Sequence, residues 1–278
     1  MGLDIRIRQA RDRADYEACI LLQRAVWGLQ DIEITSAIQM IATTHAGGMV
    51  QIAEAPDGQP IGFAYAFPAL RGGVPHLHSD MLGVLPEHRK RGVGVGLKWA
   101  QREEARARGI TLVTWTYDPL QARNAHLNLR RLGAVATEFL PDFYGITTAS
   151  LHHGLPTDRL LVRWELDSPR VKERAGEPAL ARTAPPPAEP RINDVKWQAG
   201  WPVSSEPRLD LEAPALLLEI PPDWDVLCQA APRVAQDWHG KVRRAFMTYA
   251  GRGYIAADFA PAEGEGGRRR PLYILRKA

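Results

Sequence analysis

The spacing of apolar and polar residues predicts a strand, two helices and a β-hairpin at the start of the chain. Residues 5–10 alternate as a half-buried strand does, and residues 12–28 carry apolar side chains at helical spacing. A second helix is predicted at about 35–45. Residues 49–67 predict two antiparallel strands joined at Asp57-Gly58, a dipeptide typical of tight hairpin turns.

The pattern continues with strands and helices as far as residue 166. A glycine-rich turn separates a strand at 76–84 from a helix that ends near residue 108. The elements predicted after it are a strand at 110–117, a helix at about 122–132, and strands at 134–140 and 159–166. The predicted element order is therefore β-α-α-β-β-β-α-β-α-β-β.

A change of composition then divides the chain. Residues 168–195 are rich in Pro, Ala and charged residues, which predicts a linker that Pro185–Pro187 would stiffen. We therefore expect a first domain at 1–167 and a second unit at 196–278. The apolar pattern of this second unit predicts a small β-α-β-β fold. Its element order repeats that of residues 110–166, which suggests a partial repeat of the first domain.

Composition and charge favour a soluble globular protein over a membrane or nucleic-acid-binding protein. The chain has 278 residues, of which 45% are hydrophobic, and a formal net charge of +3. No apolar run reaches the roughly 18 residues of a membrane helix, so we expect a cytoplasmic protein without a membrane partner. No dense basic stripe favours a nucleic-acid partner. Cys19 and Cys228 lack metal-ligand spacing, and no metal site is predicted.

The segment PEHRKRGVGVGLK, residues 86–98, is the strongest chemical signal in the chain. Glycine turns that open a helix often bind phosphate, because the backbone can come close to it and the helix N-terminus favours anions. A Walker A loop requires Gly-Lys followed by Ser or Thr, whereas Lys98 lies between Leu97 and Trp99. A dinucleotide-binding turn requires a third glycine where Leu97 stands. A turn that only joins a strand to a surface helix stays an alternative.

A third pattern, Arg-x-x-Gly-x-Gly after a strand, occurs twice, beginning at Arg89 and at Arg91. It resembles the pyrophosphate loop of the GNAT superfamily of acyl-CoA N-acyltransferases, and the element order up to residue 166 is similar to that fold. The resemblance implies an α+β domain with a mixed, mostly antiparallel sheet and flanking helices, and acetyl-CoA or another acyl-CoA as cosubstrate. The implied coenzyme A contacts in the turn are Arg89, Lys90, Arg91, Gly92, Val93, Gly94, Val95 and Gly96.

In that fold the strand before the loop parts from the next strand and leaves a notch for the pantetheine arm. The resemblance implies that Leu82, Gly83 and Val84 line this arm. It also implies that a backbone N–H near Val84 polarises the thioester carbonyl, as donors of an oxyanion hole do.

The strand that leads into the notch carries the candidate bases. Alternation predicts that His76, His78, Asp80 and Leu82 share one face of this strand. His78 and Asp80 are the candidates to take a proton from the attacking amine.

The group that would protonate the leaving thiolate has no match at the position where the family often carries it. Family members often protonate the leaving thiolate with a tyrosine four residues before the glycine that ends the next helix, and counting back from Gly133 gives Leu129. Tyr144, in the segment PDFYG, is the substitute that we consider.

The segment TWTYDPLQARNAHLNLRRLGA resembles a GNAT subgroup with members similar to N-acyltransferases that transfer acetyl or succinyl groups to amino acids. Asn124 and Asn128 could bond the pantetheine amides or the acyl group, and capping of the helix is the alternative for Asn124. A succinyl carboxylate would need an arginine, and Arg71 and Arg123 are the candidates.

The resemblance implies transfer of an acyl group from coenzyme A to the amine of a small molecule such as an amino acid, by direct attack through a tetrahedral intermediate. The C-terminal unit would cover the acceptor cleft or form a homodimer contact. Two alternatives stay open. The missing tyrosine favours a non-catalytic coenzyme A sensor or partner-binding module, and an open acceptor groove would favour acylation of proteins.

Overall fold

The computed structural model of the protein describes residues 5–145, 154–176, 188–263 and 265–278. The α-helices are α1 Arg13–Trp27, α2 Ala37–His45, α3 Val93–Ala107, α4 Ala122–Ala125, α5 Pro169–Gly176, α6 Trp224–Ala230 and α7 Pro232–Gly251. The strands are β1 Arg6–Gln9, β2 Met49–Glu54, β3 Pro60–Arg71, β4 Val74–Val84, β5 Leu112–Tyr117, β6 Val135–Leu140, β7 Arg159–Glu165, β8 Val195–Gln198, β9 Trp201–Ser204, β10 Ala215–Glu219, β11 Tyr254–Glu263 and β12 Arg269–Lys277. Short 3₁₀ turns lie at Asp31–Glu33, Pro86–His88 and Glu265–Gly267, and a π-helix spans His126–Arg131.

The chain forms two compact units that divide at a different place from the predicted residue 167. Among the described residues, the first unit contains 5–115 and Glu165–Ser168, and the second contains 116–145, 154–164 and the residues from Pro169 onward. The reason lies within the second unit, where β11 pairs with β6 at Ala256 and Ala136 and α7 packs against β6. The strands predicted to end the first domain therefore pack with the C-terminal elements.

In the first unit, strands β1 to β5 pair in chain order. The pairs are antiparallel except for β4 and β5, which are parallel. Successive residues of β3 point to opposite faces, so that Phe63 packs with the core of α1 and α2 whereas Ala64 packs with that of α3. The sheet therefore has a helix layer on each side, which confirms the predicted α+β class.

The strand pairs of the second unit are all antiparallel in its described part. They are β7 with β6, β6 with β11, β11 with β12, β12 with β10, and β8 with β9. The elements from β10 onward follow the predicted β-α-β-β order, and the structure adds the hairpin of β8 and β9 before them and α6 before the long helix α7. Aromatic side chains fill this core, and Phe246 and Phe259 each place a ring edge-on to Tyr273, at 5.3 and 5.1 Å between centroids. That this unit repeats part of the first domain stays a prediction.

Residues 169–176 of the predicted linker form α5. Val171 is buried on this helix. Arg170 donates to the carbonyl oxygens of Leu129 and Ala257, at 2.7 and 2.6 Å, so that contacts within the second unit order a segment of linker-like composition. The predicted stiffening at Pro185–Pro187 lies outside the described residues.

The two cysteines are buried thiols. Burial raises the pKa of Cys19 and of Cys228 to about 12 in each case. Of the helices that the structure describes, none is both long and apolar enough to cross a membrane. The described side chains likewise contain no cluster of three or more His, Cys, Asp or Glu residues arranged to hold a metal ion.

Candidate functional site

The glycine turn presents an open helix N-terminus. It lies between β4 and α3, where Lys90 and Gly92 adopt the left-handed backbone conformation, with φ of 63° and 87°. Gly92 is the N-cap of α3, and none of the described side chains caps this terminus. The first N–H groups of α3 therefore have no partner within the helix and are available to an anion.

Three exposed cationic side chains precede this terminus, namely Arg89, Lys90 and Arg91. Arg89 also donates from Nε to the carbonyl oxygen of Val84, at 3.0 Å. This bond ties the turn to the end of β4. The planar guanidinium of arginine matches the geometry of phosphate oxygens, and the turn as a whole is suited to a phosphate or diphosphate group.

The glycines of the turn serve different purposes. Gly92 has a positive φ, and a side chain on Gly96 would come within 3.0 Å of Ile7 Cδ1, so that the fold itself favours glycine at both positions. Gly94 is helical, and a Cβ there would have its nearest neighbours at 3.9 Å, an ordinary contact. The fold therefore does not require glycine at 94, and the open surface above it fits the close approach of a coenzyme A diphosphate.

The predicted notch between β4 and β5 is present. The two strands pair only at Leu77 with Val113 and at His78 with Thr114 in the described part of the chain. Beyond these pairs β4 continues to Val84 and carries the predicted pantetheine-binding residues. Of these, Leu82 and Val84 pack with the α3 core, and Gly83 is buried where a Cβ would meet Phe63 and Trp27.

A β-bulge in β4 redirects Asp80. Ala66 of β3 pairs with Ser79, whereas the preceding Tyr65 pairs with Met81, so that Asp80 is an extra residue that the register with β3 skips. The prediction that Leu82 shares a face with His78 and Asp80 is therefore wrong, because the extra residue reverses the alternation after it.

Asp80 faces a cleft of about 400 Å³ on the α1 and α2 side of the sheet. The cleft is lined by Thr35, Gln39, Thr43, Ala46, Tyr65, Phe67, Pro68 and Asp80. Thr43 and Tyr65 share a hydrogen bond of 2.9 Å between their hydroxyl oxygens. Burial raises the pKa of the Tyr65 phenol, and the negative charge of Asp80 adds to this effect. The cleft thus combines a carboxylate with neutral hydrogen-bonding groups and aromatic surface, which suits a protonated amine.

His78 is held beside this cleft as a neutral imidazole. Its Nδ1 lies 2.9 Å from Thr114 Oγ1, and its ring centroid is 5.2 Å from that of Phe67. Burial lowers the pKa of His78 to about 4, and the nearby charges of His76, Lys98 and Arg71 act in the same direction. His78 is thus uncharged at neutral pH and already engaged by Thr114, whereas the exposed Asp80 borders the cleft.

The sequence prediction missed the polar cleft residues on α2 and just before it, and it missed the buried Lys98 of α3. Thr35, Gln39 and Thr43 are common polar residues whose spacing only suggests a helix. Lys98 lies among the buried residues of α3, and a lysine on the apolar stripe of an amphipathic helix is the signal that could have identified it.

Tyr144 belongs to the second unit and lies in the turn that follows β6. Its backbone N–H donates to Thr157 Oγ1 at 2.9 Å, and its hydroxyl lies 3.3 Å from Thr116 Oγ1. Arg159 donates from Nε to the same Thr116 oxygen, at 3.2 Å, and its guanidinium lies 5.5 Å from the Tyr144 ring centroid. About half of the Tyr144 surface, 48%, is exposed.

The remaining candidates of the second unit differ in exposure. Asn124 is exposed on α4, whereas Asn128 is buried in the π-helix. The predicted single helix begins as α4 and continues directly as the π-helix. Leu129 is fully buried at the position of the family tyrosine. The exposed Arg123 lies 4.0 Å from the carboxylate of Asp223.

Arg71, in the first unit, is an exposed residue at the end of β3 and does not line the cleft.

Comparison with known proteins gives one family match. Residues 19–134 match the family model described as the acetyltransferase (GNAT) family. The matched segment covers less than half of the chain and contains the glycine turn, so that it supports the predicted resemblance of this part to acyl-CoA-dependent acetyltransferases. No curated protein matches the chain.

Several solved structures are similar to the chain. Ribosomal-protein-alanine N-acetyltransferase from Brucella melitensis has 23% identity and a TM-score of 0.46, over 57% of this chain and 98% of its own. A proposed acetyltransferase from Salmonella typhimurium, solved with acetyl-CoA, has 21% identity and a TM-score of 0.47, over 66% of this chain and 99% of its own. Naa50 from Arabidopsis thaliana, in complex with a bisubstrate analogue, has 15% identity and a TM-score of 0.46, over 58% of this chain and 98% of its own.

Proposed function

We propose that the protein transfers an acetyl or succinyl group from coenzyme A to the amine of a small molecule such as an amino acid. The match of residues 19–134 to the acetyltransferase (GNAT) family supports this proposal. One observation carries the proposal. The open glycine turn and the cleft that contains Asp80 lie in the same unit, and a single strand, β4, leads from the cleft to the turn. A diphosphate and a protonated amine each have a suitable site along that strand.

The glycine turn and the end of β4 would hold the acyl-CoA. The N–H groups at the start of α3 and the cations from Arg89 to Arg91 would bind the diphosphate. The edge from Leu82 to Val84, unpaired with β5, would bond the pantetheine arm, and a backbone N–H near Val84 would stabilise the negative charge that develops on the thioester oxygen.

Asp80 is the group that we assign to the acceptor amine. It would first bind the ammonium group as a counter-charge and then take a proton, directly or through water, so that the amine becomes a nucleophile. Its place in the cleft beside Tyr65 and Phe67 supports this role. His78 is the weaker candidate, since its Nδ1 is engaged by Thr114 and its pKa is low.

The thiolate of coenzyme A is a stable anion, because a thiol is a far stronger acid than an alcohol. It can therefore leave without a proton donor, although a donor would assist the step. Tyr144 is our candidate proton donor, and its hydroxyl contact with Thr116 supports an ordered phenol. Comparison of Tyr144→Phe with Thr116→Val tests this role: a donor predicts a lower kcat for the first variant at unchanged affinity for coenzyme A, and equal rates would remove Tyr144 from the mechanism.

The proposal is tested with a panel of acyl-CoA donors against pooled D- and L-amino acids, small amines and, in a separate pool, peptides, read by thiol release. Acyl transfer to at least one pool is the expected result, and Asp80→Asn should abolish most of it. Turnover with peptides and none with small amines would move the assignment to protein acylation. No turnover with any pool, while coenzyme A still raises the melting temperature, would refute the transferase.

That last result would favour the second candidate, a coenzyme A sensor or partner-binding module. The observation behind it is Leu129, a fully buried apolar residue at the position where the family often has its acid.

A further inference from the structure

Lys98 is an unusual residue for its place in the fold. Only 2% of its surface is exposed, and it lies on the buried face of α3 directly after the core residue Leu97. Lysine side chains almost always extend their amine to water, and they are rarely buried without a specific partner. The partners of this amine therefore indicate what the residue does.

The amine contacts both strands that border the notch. Its Nζ lies 3.1 Å from Ser79 Oγ on β4 and 3.7 Å from the ring centroid of Trp115 on β5. Ser79 and Trp115 directly follow His78 and Thr114, which form the last backbone pair of the two strands. The lysine thus bridges β4 and β5 at the point where their pairing ends.

A third partner fixes the direction of the side chain. Gln101, three residues along α3, accepts a hydrogen bond from Nζ at 2.7 Å. Ser79, Trp115 and Gln101 are all buried, and polar contacts are stronger in such surroundings than in water. Burial also lowers the pKa of Lys98 well below its ordinary value. Its Nζ donates to both Ser79 Oγ and Gln101 Oε1.

We propose that Lys98 is a positioning residue that sets the opening of the notch between β4 and β5, and with it the seat of the pantetheine arm. The inference rests on the proposed function of this site. It concerns the arm alone, because the diphosphate is assigned to the start of α3, more than one helical turn before Lys98. A change at Lys98 should therefore affect a ligand with the arm and spare a ligand without it.

The test compares coenzyme A with phosphoadenosine diphosphate, the nucleotide half of coenzyme A, by calorimetric titration of the full chain. Lys98→Met keeps a side chain of similar length and removes the hydrogen bonds. We expect it to weaken coenzyme A binding by about tenfold or more and to leave the affinity for the nucleotide half within about twofold. In turnover, the KM for acyl-CoA should rise while the KM for the amine stays the same.

Leu97→Met is the matched control, since it places the same new side chain one residue earlier and removes no hydrogen bond; it should change neither affinity. Ser79→Ala removes the partner on β4 and should act in the same direction as Lys98→Met, so that it decides the matter if that variant does not fold. Equal weakening of both ligands, or of neither, would overturn the inference. If the wild-type protein binds coenzyme A but transfers no acyl group, the proposed transferase fails, and the ratio of the two affinities still decides the role of Lys98.

Discussion

Substitution of Gly94 by alanine should make the protein more stable and less able to bind coenzyme A. Gly94 lies in the first turn of α3 with an ordinary helical backbone. A Cβ there would have Leu82 Cδ2 and Val84 Cγ2 as its nearest neighbours, both at 3.9 Å. The new methyl group therefore causes no strain, and it occupies the surface that the diphosphate must approach.

The size of each effect follows from this geometry. Replacing a helical glycine by alanine without strain stabilises a protein by about 0.5–1 kcal/mol. For a domain of this size such a gain corresponds to a rise of about 1–4 °C in the melting temperature. A methyl group between the backbone and the diphosphate should cost about 1.4 kcal/mol or more, which is a tenfold loss of affinity.

The assay pairs thermal unfolding with calorimetric titration of coenzyme A. Gly240→Ala is the matched control, because Gly240 is also helical, with open space around its Cβ position, but lies in α7 far along the chain from the turn. It should raise the melting temperature by a similar amount and leave the affinity unchanged. Wild-type affinity in Gly94→Ala would refute the assignment of the turn, and a lower melting temperature would refute the claim that the fold does not require glycine there.

Three further predictions concern the cleft, its neighbouring histidine and a turn of the second unit. Asp80→Asn should lower kcat/KM for the amine by about 10²–10⁴-fold at unchanged coenzyme A affinity, and full turnover in the thiol-release assay would exclude Asp80 as the base. Burial lowers the pKa of His78 to about 4 in the folded protein, so that, as the pH falls, the imidazole is protonated in the unfolded chain before it is protonated in the folded one. The free energy of unfolding should therefore fall by on the order of 3 kcal/mol as the pH drops from about 6.5 to 4. Urea titrations should show this loss in the wild type and not in His78→Asn, and equal slopes would contradict it. Ala199, with φ of 48°, precedes Gly200 in the turn between β8 and β9, and Ala199→Asn should raise the free energy of unfolding by about 1 kcal/mol in urea titrations; no gain would show that the turn tolerates alanine without strain.

Helix ends and the glycine turn could be predicted because single residues mark them. Gly28, predicted to end the first helix, follows Trp27 in a left-handed conformation with φ of 65°. The Arg-x-x-Gly-x-Gly pattern likewise begins α3, with the positive φ at Gly92. Such signals are local, since a left-handed φ favours glycine whatever surrounds it.

The acceptor cleft could not be predicted, because it depends on pairing between strands. The bulge that redirects Asp80 is defined only by the positions of Tyr65 and Ala66 on the neighbouring strand. No residue type near Asp80 indicates this bulge in the sequence. Regular alternation therefore predicted the wrong face of the strand for Leu82. The cleft residues of α2 come together with Asp80 only through the packing of that helix on the sheet.

The same limit explains the linker and the division into units. Residues 169–176 have the composition of a linker, and it is the contacts of Arg170 and Val171 that order them as α5. The division at Trp115 and Thr116 reflects the pairing of β6 with β11, a contact between positions 136 and 256. Long-range pairing of this kind leaves no mark in the local sequence.

The two buried thiols make the proposed assays unusually easy to interpret. At neutral pH a thiol with a pKa of about 12 is almost entirely protonated, and only the thiolate attacks a disulfide reagent. A folded sample should therefore give little colour of its own with such a reagent, and the thiol that appears during turnover would be that of released coenzyme A. A variant that unfolds would expose Cys19 and Cys228. Its unfolding would be detected as two reactive thiols per chain, whether or not an amine is present.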